Sequence, residues 1–256
     1  MDHSSISNVV FKFWWVVPVL LAAAVLRTAW FRGLCGEAMV KFAAKLRLPA
    51  DTYHAIHNVT MPTPDGTTQI DHIFVSRFGI FVVETKNMKG WIFGGESQAE
   101  WTQKIFRESY KFQNPLRQNY KHVKAVEAAL DVAPKFIHSL VVFAGDCSFK
   151  SPMPANVTKG VAYITYIKSF CEPVLSELQV QCAVSQLQRA RLEPTRETRR
   201  QHVQQLKRRA DPSAQRRCPR CGSSMVLRTA KRGTSAGGQF WGCSAYPKCK
   251  AIQNVT

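Results

Sequence analysis

Past Asp211 the chain carries no carboxylate side chain, while Arg216, Arg217, Arg220, Arg228, Lys231, Arg232, Lys248 and Lys250 continue to its end. Acidic residues are scarce overall, 17 against 35 Lys and Arg, for a formal net charge of +18. That imbalance points towards a polyanion, either nucleic acid or an acidic membrane surface. No internal repeat is present, which excludes solenoid and propeller architectures. The eight cysteines do not form the dense framework of a small secreted domain, so a reducing compartment is expected. Four of them (Cys35, Cys147, Cys171, Cys182) are scattered through apolar or mixed segments, as buried structural thiols are. Most carboxylates lie before residue 150. A balanced front with a basic rear reads as a working domain carrying a nucleic-acid-gripping appendage.

Polar residues are missing from Phe13 to Leu26, and Ile6 to Phe11 extends this apolar run upstream across Lys12. The stretch 6–26 approaches the ~20 residues of a membrane span. Trp14, Trp15 and Trp30 suit the interfacial zones, and Lys12 can snorkel. Arg27, Arg32, Lys41, Lys45 and Arg47 follow the run, which puts the body in the cytoplasm on a single-pass anchor in the inner or plasma membrane. A cleaved signal peptide ending at Ala22-Ala23-Ala24 and a buried core helix are the alternatives.

Leu34, Ala38, Phe42 and Leu46 recur about one turn apart and predict an amphipathic helix over 33–48, ended by Pro49. Strand signals follow at 53–60, 69–75 and 79–85. A Pro62-Thr63-Pro64-Asp65-Gly66 turn separates the first two, and the last two are close enough to form a hairpin. Residues 98–130 read as largely helical with a break at Asn114-Pro115. Residues 140–144 and 161–167 read as strands, and 173–184 as a closing helix. The mixture defines an α/β or α+β domain. Four segments result: an anchor at 1–32, a domain at 33–184, a basic linker at 185–215 and a small unit at 216–256. In the linker, Arg and Gln replace apolar residues; it is expected to be partly helical and either solvated or in contact with phosphates.

The last unit reads CPRCGSSMVLRTAKRGTSAGGQFWGCSAYPKC. Cys218 and Cys221 form a tight knuckle with Gly222 behind it, and Cys243 and Cys249 form a wider one. Four thiolates suit a structural Zn²⁺ and leave no open position for chemistry. Two disulfides are the less fitting alternative, and no thioredoxin-like strand precedes Cys218. Short strands are expected around 225–227 and 239–241, with metal supplying much of the folding energy. CPRCG followed by FWGCSAYPKC resembles the zinc ribbons at the C-termini of bacterial type IA DNA topoisomerases. The resemblance covers about 216–253 and implies binding of DNA, particularly single strands. The residue types agree: Phe240, Trp241 and Tyr246 offer faces for bases, and Arg220, Arg228, Lys231, Arg232 and Lys248 offer charge for phosphates. One of the three aromatics is expected to fill the ribbon's core instead, with Phe240 the candidate.

In QIDHIFVSRFGIFVVETKNMKG (69–90), Asp71, Glu84 and Lys86 interrupt apolar strands. Glu84 and Lys86 share a strand face. A tight turn at Arg77-Phe78 would set Asp71 opposite Glu84, where two carboxylates repel unless a cation lies between them. Mg²⁺ or Mn²⁺ takes such oxygens together with waters and phosphates, and lowers the pKa of a bound water. A solvated hairpin rim with Lys86 paired to one acid is the alternative. Asp71 and Glu84-Thr85-Lys86 resemble the PD-(D/E)xK nuclease signature. More narrowly, 33–125 is similar to the nuclease-related domain (NERD) family, through Gly33-Leu-Cys-Gly-Glu37, Ile70-Asp71-His72, Gly79 to Asn87, Gly90 and Asn114-Pro115-Leu-Arg-Gln118. The resemblance implies a restriction-endonuclease-like mixed sheet flanked by helices. It implies metal on Asp71 and Glu84, Lys86 serving the attacking water, Glu37 as an additional acid and Gln118 in support. His72 is expected to be a hydrogen-bonded structural histidine, with substrate contact the alternative, and Trp91 and Trp101 core or rim aromatics in preference to base stackers. The expectation is therefore a membrane-tethered, metal-dependent nuclease acting on DNA. A non-catalytic DNA-binding scaffold at the membrane is the alternative, and binding of anionic lipid by the basic body is a third.

Overall fold

β-branched and aromatic residues in alternation from Tyr53 to Lys86 build three consecutive antiparallel strands, β1 (Tyr53–Thr63), β2 (Gly66–Ser76) and β3 (Gly79–Lys86). The structure is a computed structural model that describes residues 16–26, 28–64, 66–193, 195–210, 216–218, 220–230 and 237–254. The β2–β3 turn is two residues long, with Ser76 opposite Gly79. Gly79 has φ +134°, and a Cβ there would lie 2.8 Å from the His138 ring, so this position demands glycine.

Further strands are β4 (Gly90–Phe93), β5 (Glu100–Ile105), β6 (Glu108–Gln113), β7 (Ile137–Phe143), β8 (Cys147–Phe149) and β9 (Val157–Lys159). The main sheet runs β1-β2-β3-β7-β9, parallel from β3 onward, and a second sheet runs β6-β5-β4-β8. The helices are α1 (Val16–Leu26), α2 (Ala29–Arg47), α3 (Pro115–Ala129), α4 (Ala162–Lys168), α5 (Glu177–Ala190) and α6 (Arg196–Ala210). One face of the main sheet packs Ile73, Val82 and Val75 with Val126 of α3 and Leu187 of α5. The other packs Phe74, Phe81 and Val142 with Val40 of α2 and Tyr163 of α4. Each such side chain contributes roughly 1.5–3 kcal/mol by leaving water. Asn114 caps α3 by accepting from Leu116 N–H at 2.9 Å, and buried Asn119 donates to Val82 O at 2.8 Å, which fixes the helix against β3. The chain is thus a mixed α/β fold followed by a small four-stranded β unit, β10 (Arg216–Arg217), β11 (Ser224–Thr229), β12 (Gln239–Cys243) and β13 (Ile252–Asn254).

Several sequence expectations require correction. Residues 100–113 form the β5–β6 hairpin instead of a helix. The Glu, Gln and Lys content favours helix, but Trp101 is fully buried and stacks on Phe143, which only the strand achieves. Residues 162–168 are helical although their composition reads as strand, because Tyr163, Ile164 and Ile167 all turn inward at helical spacing. The helix over 29–47 exists, but the stripe chosen for its core faces outward. Phe42 and Leu46 are 63% and 67% exposed, and the buried side is Gly36, Val40, Ala43 and Ala44. Of the four scattered cysteines only Cys147 is buried. Residues 196–210 of the basic linker are helical, in line with the partly helical linker expected. Among the described residues no helix is long and apolar enough to cross a membrane. Residues 1–15, which include the first ten of the 6–26 run with Lys12, Trp14 and Trp15, lie outside the described residues, as do Lys231 and Arg232.

Candidate functional site

β2 and β3 part company just where the charged residues begin. Their last paired residues are His72 and Val83, so Asp71 and Glu84 are the next in register. The same point is kinked in β1, where Asn58, facing Asp71, has φ 52°. The two-residue alternation slips there: Ile70 and Ile73, three apart, enter one core cluster, as do Ile56 and Val59. Released from the ladder, Asp71 turns its carboxylate towards β3 and accepts the Thr85 N–H at 2.8 Å.

On β3, Glu84 is 3% exposed and holds two partners. Lys86 Nζ lies 2.7 Å from Oε1 and His122 Nε2 lies 3.1 Å from Oε2. Lys86 also donates to Gln118 Oε1 at 2.8 Å, and His122 Nδ1 meets Thr68 Oγ1 at 2.8 Å. Gln118 and His122 are one turn apart on α3, and the Asn114 cap and Asn119 clamp set that helix's phase. A continuous chain results, Thr68–His122–Glu84–Lys86–Gln118. Sequence reasoning named Gln118 and missed His122. The signal was its four-residue spacing from Gln118 within a segment already read as helix.

The carboxylates strain against one another. Burial, and next the Glu84 charge, pushes Asp71 well above its ordinary value, with Glu37 adding to the effect and Thr85 N–H and Lys86 opposing it. Glu37 on α2 is raised by its burial and then by Glu84. Burial acts on Glu84 too, but the His122 hydrogen bond and the Lys86 charge outweigh it and hold the carboxyl below its ordinary value. Glu37, Asp71 and Glu84 therefore converge as a field. They do not form a closed cage, because among the described residues only the four cysteines bring three or more ligand atoms within 4.8 Å of one another. His72 is the expected structural histidine. It is 1% exposed, its Nδ1 lies 2.9 Å from His57 Nδ1, and burial, His57 and Lys41 lower its pKa to about 3.

In the ribbon, Cys218 Sγ and Cys249 Sγ are 3.6 Å apart, and Cys221 Sγ and Cys243 Sγ 3.4 Å. Zn–S bonds of about 2.3 Å in a tetrahedron require sulfurs about 3.8 Å apart, so the four thiols fit structural Zn²⁺. The knuckle is closed by Gly222 N–H to Cys218 O at 2.9 Å, with Gly222 at φ +73°. Trp241, paired with Leu227, is the aromatic that fills the core; it is 5% exposed with the Arg216 guanidinium 4.6 Å over its ring. It is removed from the base-contacting set. The opposite face carries Phe240, Arg228 and exposed Tyr246, with the Arg228 guanidinium 5.7 Å from the Tyr246 ring. Arg220 and Lys248 are exposed.

The fold and these two sites define a mixed α/β protein with an acid–lysine hairpin and a four-cysteine DNA-binding type of ribbon. Residues 32–144 match the family described as nuclease-related domain, and residues 215–256 match the topoisomerase DNA binding C4 zinc finger. An uncharacterized protein of Bacillus anthracis is 39% identical over 181 residues, covering 69% of this chain and 84% of that one. The chain belongs to the nuclease-related domain family and carries a C-terminal zinc ribbon. No solved structure matches it.

Proposed function

We propose that the chain is a membrane-tethered nuclease of restriction-endonuclease-like fold that cuts DNA with Mg²⁺ or Mn²⁺ and captures single strands on its zinc ribbon. The observation that carries this reading is the fork at Asp71, which sets a buried, electrostatically raised carboxylate beside the Glu84–Lys86 pair. A divalent ion would relieve that repulsion, and two carboxylates are the protein share that Mg²⁺ commonly takes. Asp71 spends one oxygen on Thr85 N–H and keeps the other for a cation. Glu84 would be the second ligand, with Glu37 able to hold an outer water. Such an ion supplies charge neutralisation at the phosphate and an acidified water. Gln118 holds the Lys86 ammonium in place, where it orients the attacking water or faces the phosphate oxygens. His122 fixes Glu84. No serine or tyrosine adjoins Asp71, Glu84 or Lys86 in sequence, so the reading is direct attack by water.

The tether rests on the 6–26 apolar run, on the cations that follow it, and on the outward face of α2. There Leu34, Phe42 and Leu46 lie exposed beside Lys41 and Lys45. A helix with one apolar face and flanking lysines suits the interface of an anionic bilayer. The body would then lie on the cytoplasmic side.

The test is cleavage of labelled single- and double-stranded DNA by the detergent-solubilised chain with zinc retained. Mg²⁺ or Mn²⁺ is compared with metal-free buffer, since a chelator would strip the ribbon too. Cleavage that needs the ion and disappears in Asp71→Ala and Lys86→Ala supports the nuclease. Binding without cleavage on every substrate, unchanged in both variants, transfers the reading to a DNA-binding scaffold.

A further inference from the structure

The β5–β6 hairpin closes through the two-residue turn Phe106-Arg107, between the pair Ile105 and Glu108. Phe106 has φ 52° and Arg107 is not among the residues with positive φ. A two-residue hairpin with left-handed backbone at its first position ordinarily carries glycine there, since a side chain's Cβ crowds the neighbouring carbonyl. Here that position holds a phenylalanine that is 93% exposed, the most exposed large apolar side chain among the described residues. Its ring makes no aromatic or cation contact within the described fold. The fold therefore bears backbone strain and exposed apolar surface at one residue without packing in return, a combination that marks functional positions.

The hairpin is tied to the segment that follows the site's own strand, β3. β5 pairs with β4, with Trp91 opposite Lys104, and Gln103 Nε2 donates to Lys89 O at 2.8 Å. Gly90, at φ +81°, lets the strands close so tightly that a Cβ there would meet Lys104 O at 2.4 Å. Lys89 and Gly90 follow Lys86 by three and four residues, so the hairpin end flanks the exit of the catalytic strand. Arg107 shares the turn with Phe106, Lys104 stands two residues before it on β5, and Lys89 is tied to β5 through Gln103, with Glu108 the one acid at the turn.

We propose that Phe106 is a DNA wedge: it inserts between stacked bases beside the scissile phosphate while Lys89, Lys104 and Arg107 grip the flanking backbone. Apolar wedges of this kind unstack a step and kink the duplex, and the cations on and next to this turn match phosphates. The placement relative to cleavage rests on the nuclease reading; the insertion itself does not.

The full chain is tested in an Asp71→Asn background, which holds substrate uncut, against a duplex containing one 2-aminopurine. Fluorescence of that base rises when its neighbours unstack. The parental chain is expected to give the rise. Phe106→Gly should abolish it and raise Kd about five- to a hundredfold, as loss of one stacked base does. Gly suits the turn, so this variant should melt no lower than its parent, and Phe106→Trp should restore the signal. An equal rise with Phe106→Gly, or none with the parental chain, overturns the proposal. So does a Phe106→Gly chain that loses only affinity for phosphatidylglycerol vesicles, which would assign the tip to lipid. A Phe106-dependent rise in a protein whose wild type never cuts DNA keeps the wedge and rejects the nuclease.

Discussion

His122 Nε2 stands 3.1 Å from Glu84 Oε2 in a site where both side chains are 4% exposed. The contact, together with Lys86 on the other oxygen, lets a carboxylate stay ionised where burial would protonate it. His122→Ala removes that partner. The acid limb of the pH–rate profile is then expected to move to higher pH as the Glu84 pKa rises, and His122→Gln, which keeps a donor, should move it back. Stability follows the same logic. A carboxyl whose folded pKa lies below its ordinary 4.5 contributes stability above that value and loses it as pH falls through the folded pKa. The His122→Ala chain should therefore lose this contribution and unfold at a higher pH on acidification, with a cost at neutral pH of about 1–3 kcal/mol for the partnerless oxygen.

Asp71 carries the opposite sign. Its folded pKa is raised well above 3.8, chiefly by burial and by Glu84. Between the two values the folded state keeps a proton that the unfolded state releases, so falling pH favours the fold and ionisation at neutral pH disfavours it. Asp71→Asn keeps an acceptor for Thr85 N–H and removes the charge. Each kcal/mol gained should raise Tm by about 2–4 °C in metal-free buffer. Any stabilisation of the parental chain by Mg²⁺ should vanish in the variant, along with cleavage. Scanning calorimetry with and without the ion reads both effects. A variant that melts lower than wild type without metal would contradict the electrostatic account.

Lys86 and Gln118 separate chemistry from positioning. Lys86→Ala should lower kcat by about 10²–10³-fold, the loss typical of one transition-state donor. Gln118 accepts from the ammonium at 2.8 Å, so Gln118→Ala should cost about 10–100-fold with little change in KM. Gln118→Glu, which keeps an acceptor for the ammonium, should recover part of that loss. Equal losses in the two Ala variants would instead place Gln118 among the groups that meet substrate.

What the sequence revealed and what it hid divide along a physical line. Spacing decided the legible parts. The two residues between Ser76 and Gly79 set the register that puts Asp71 next to Glu84, and the cysteine spacings set the metal knuckles. Contacts between distant segments decided the rest. His122 reaches Glu84 only because α3 docks in one phase, held by Asn119 on Val82 O. The β5–β6 hairpin stayed hidden because its turn carries Phe106-Arg107 in place of a turn-forming pair. On α2 two apolar faces compete, and only packing shows that the smaller residues, Val40, Ala43 and Ala44, face the sheet.

The ribbon's aromatics should behave differently from one another. Tyr246→Ala removes a 59% exposed ring with the Arg228 guanidinium 5.7 Å from its centroid and should retain zinc while losing roughly 1–3 kcal/mol of single-strand affinity. Trp241→Ala opens the buried centre of the ribbon and should release zinc as well. Zinc content by metal analysis alongside fluorescence anisotropy with an oligonucleotide distinguishes these results. Loss of zinc in Tyr246→Ala would mean that the ring supports the Cys243–Cys249 knuckle and does not serve as a base platform.

The outward face of α2 gives the membrane reading a local test. Flotation of the full chain with vesicles would report the 6–26 run regardless of α2, so the measurement must be site-resolved. Cys35 is exposed and lies beside Leu34, close in helical phase to Phe42 and Leu46, while Cys171 and Cys182 are exposed elsewhere on the chain. In phosphatidylglycerol-containing vesicles a water-soluble maleimide should modify Cys35 much more slowly than Cys171 or Cys182, as read by peptide mass spectrometry. Phe42→Glu with Leu46→Glu should lift that protection, because burying either charge in the interface opposes insertion. If Cys35 reacts as fast as Cys171 in the parental chain, α2 does not lie on the bilayer. The tether would then rest on the 6–26 run alone.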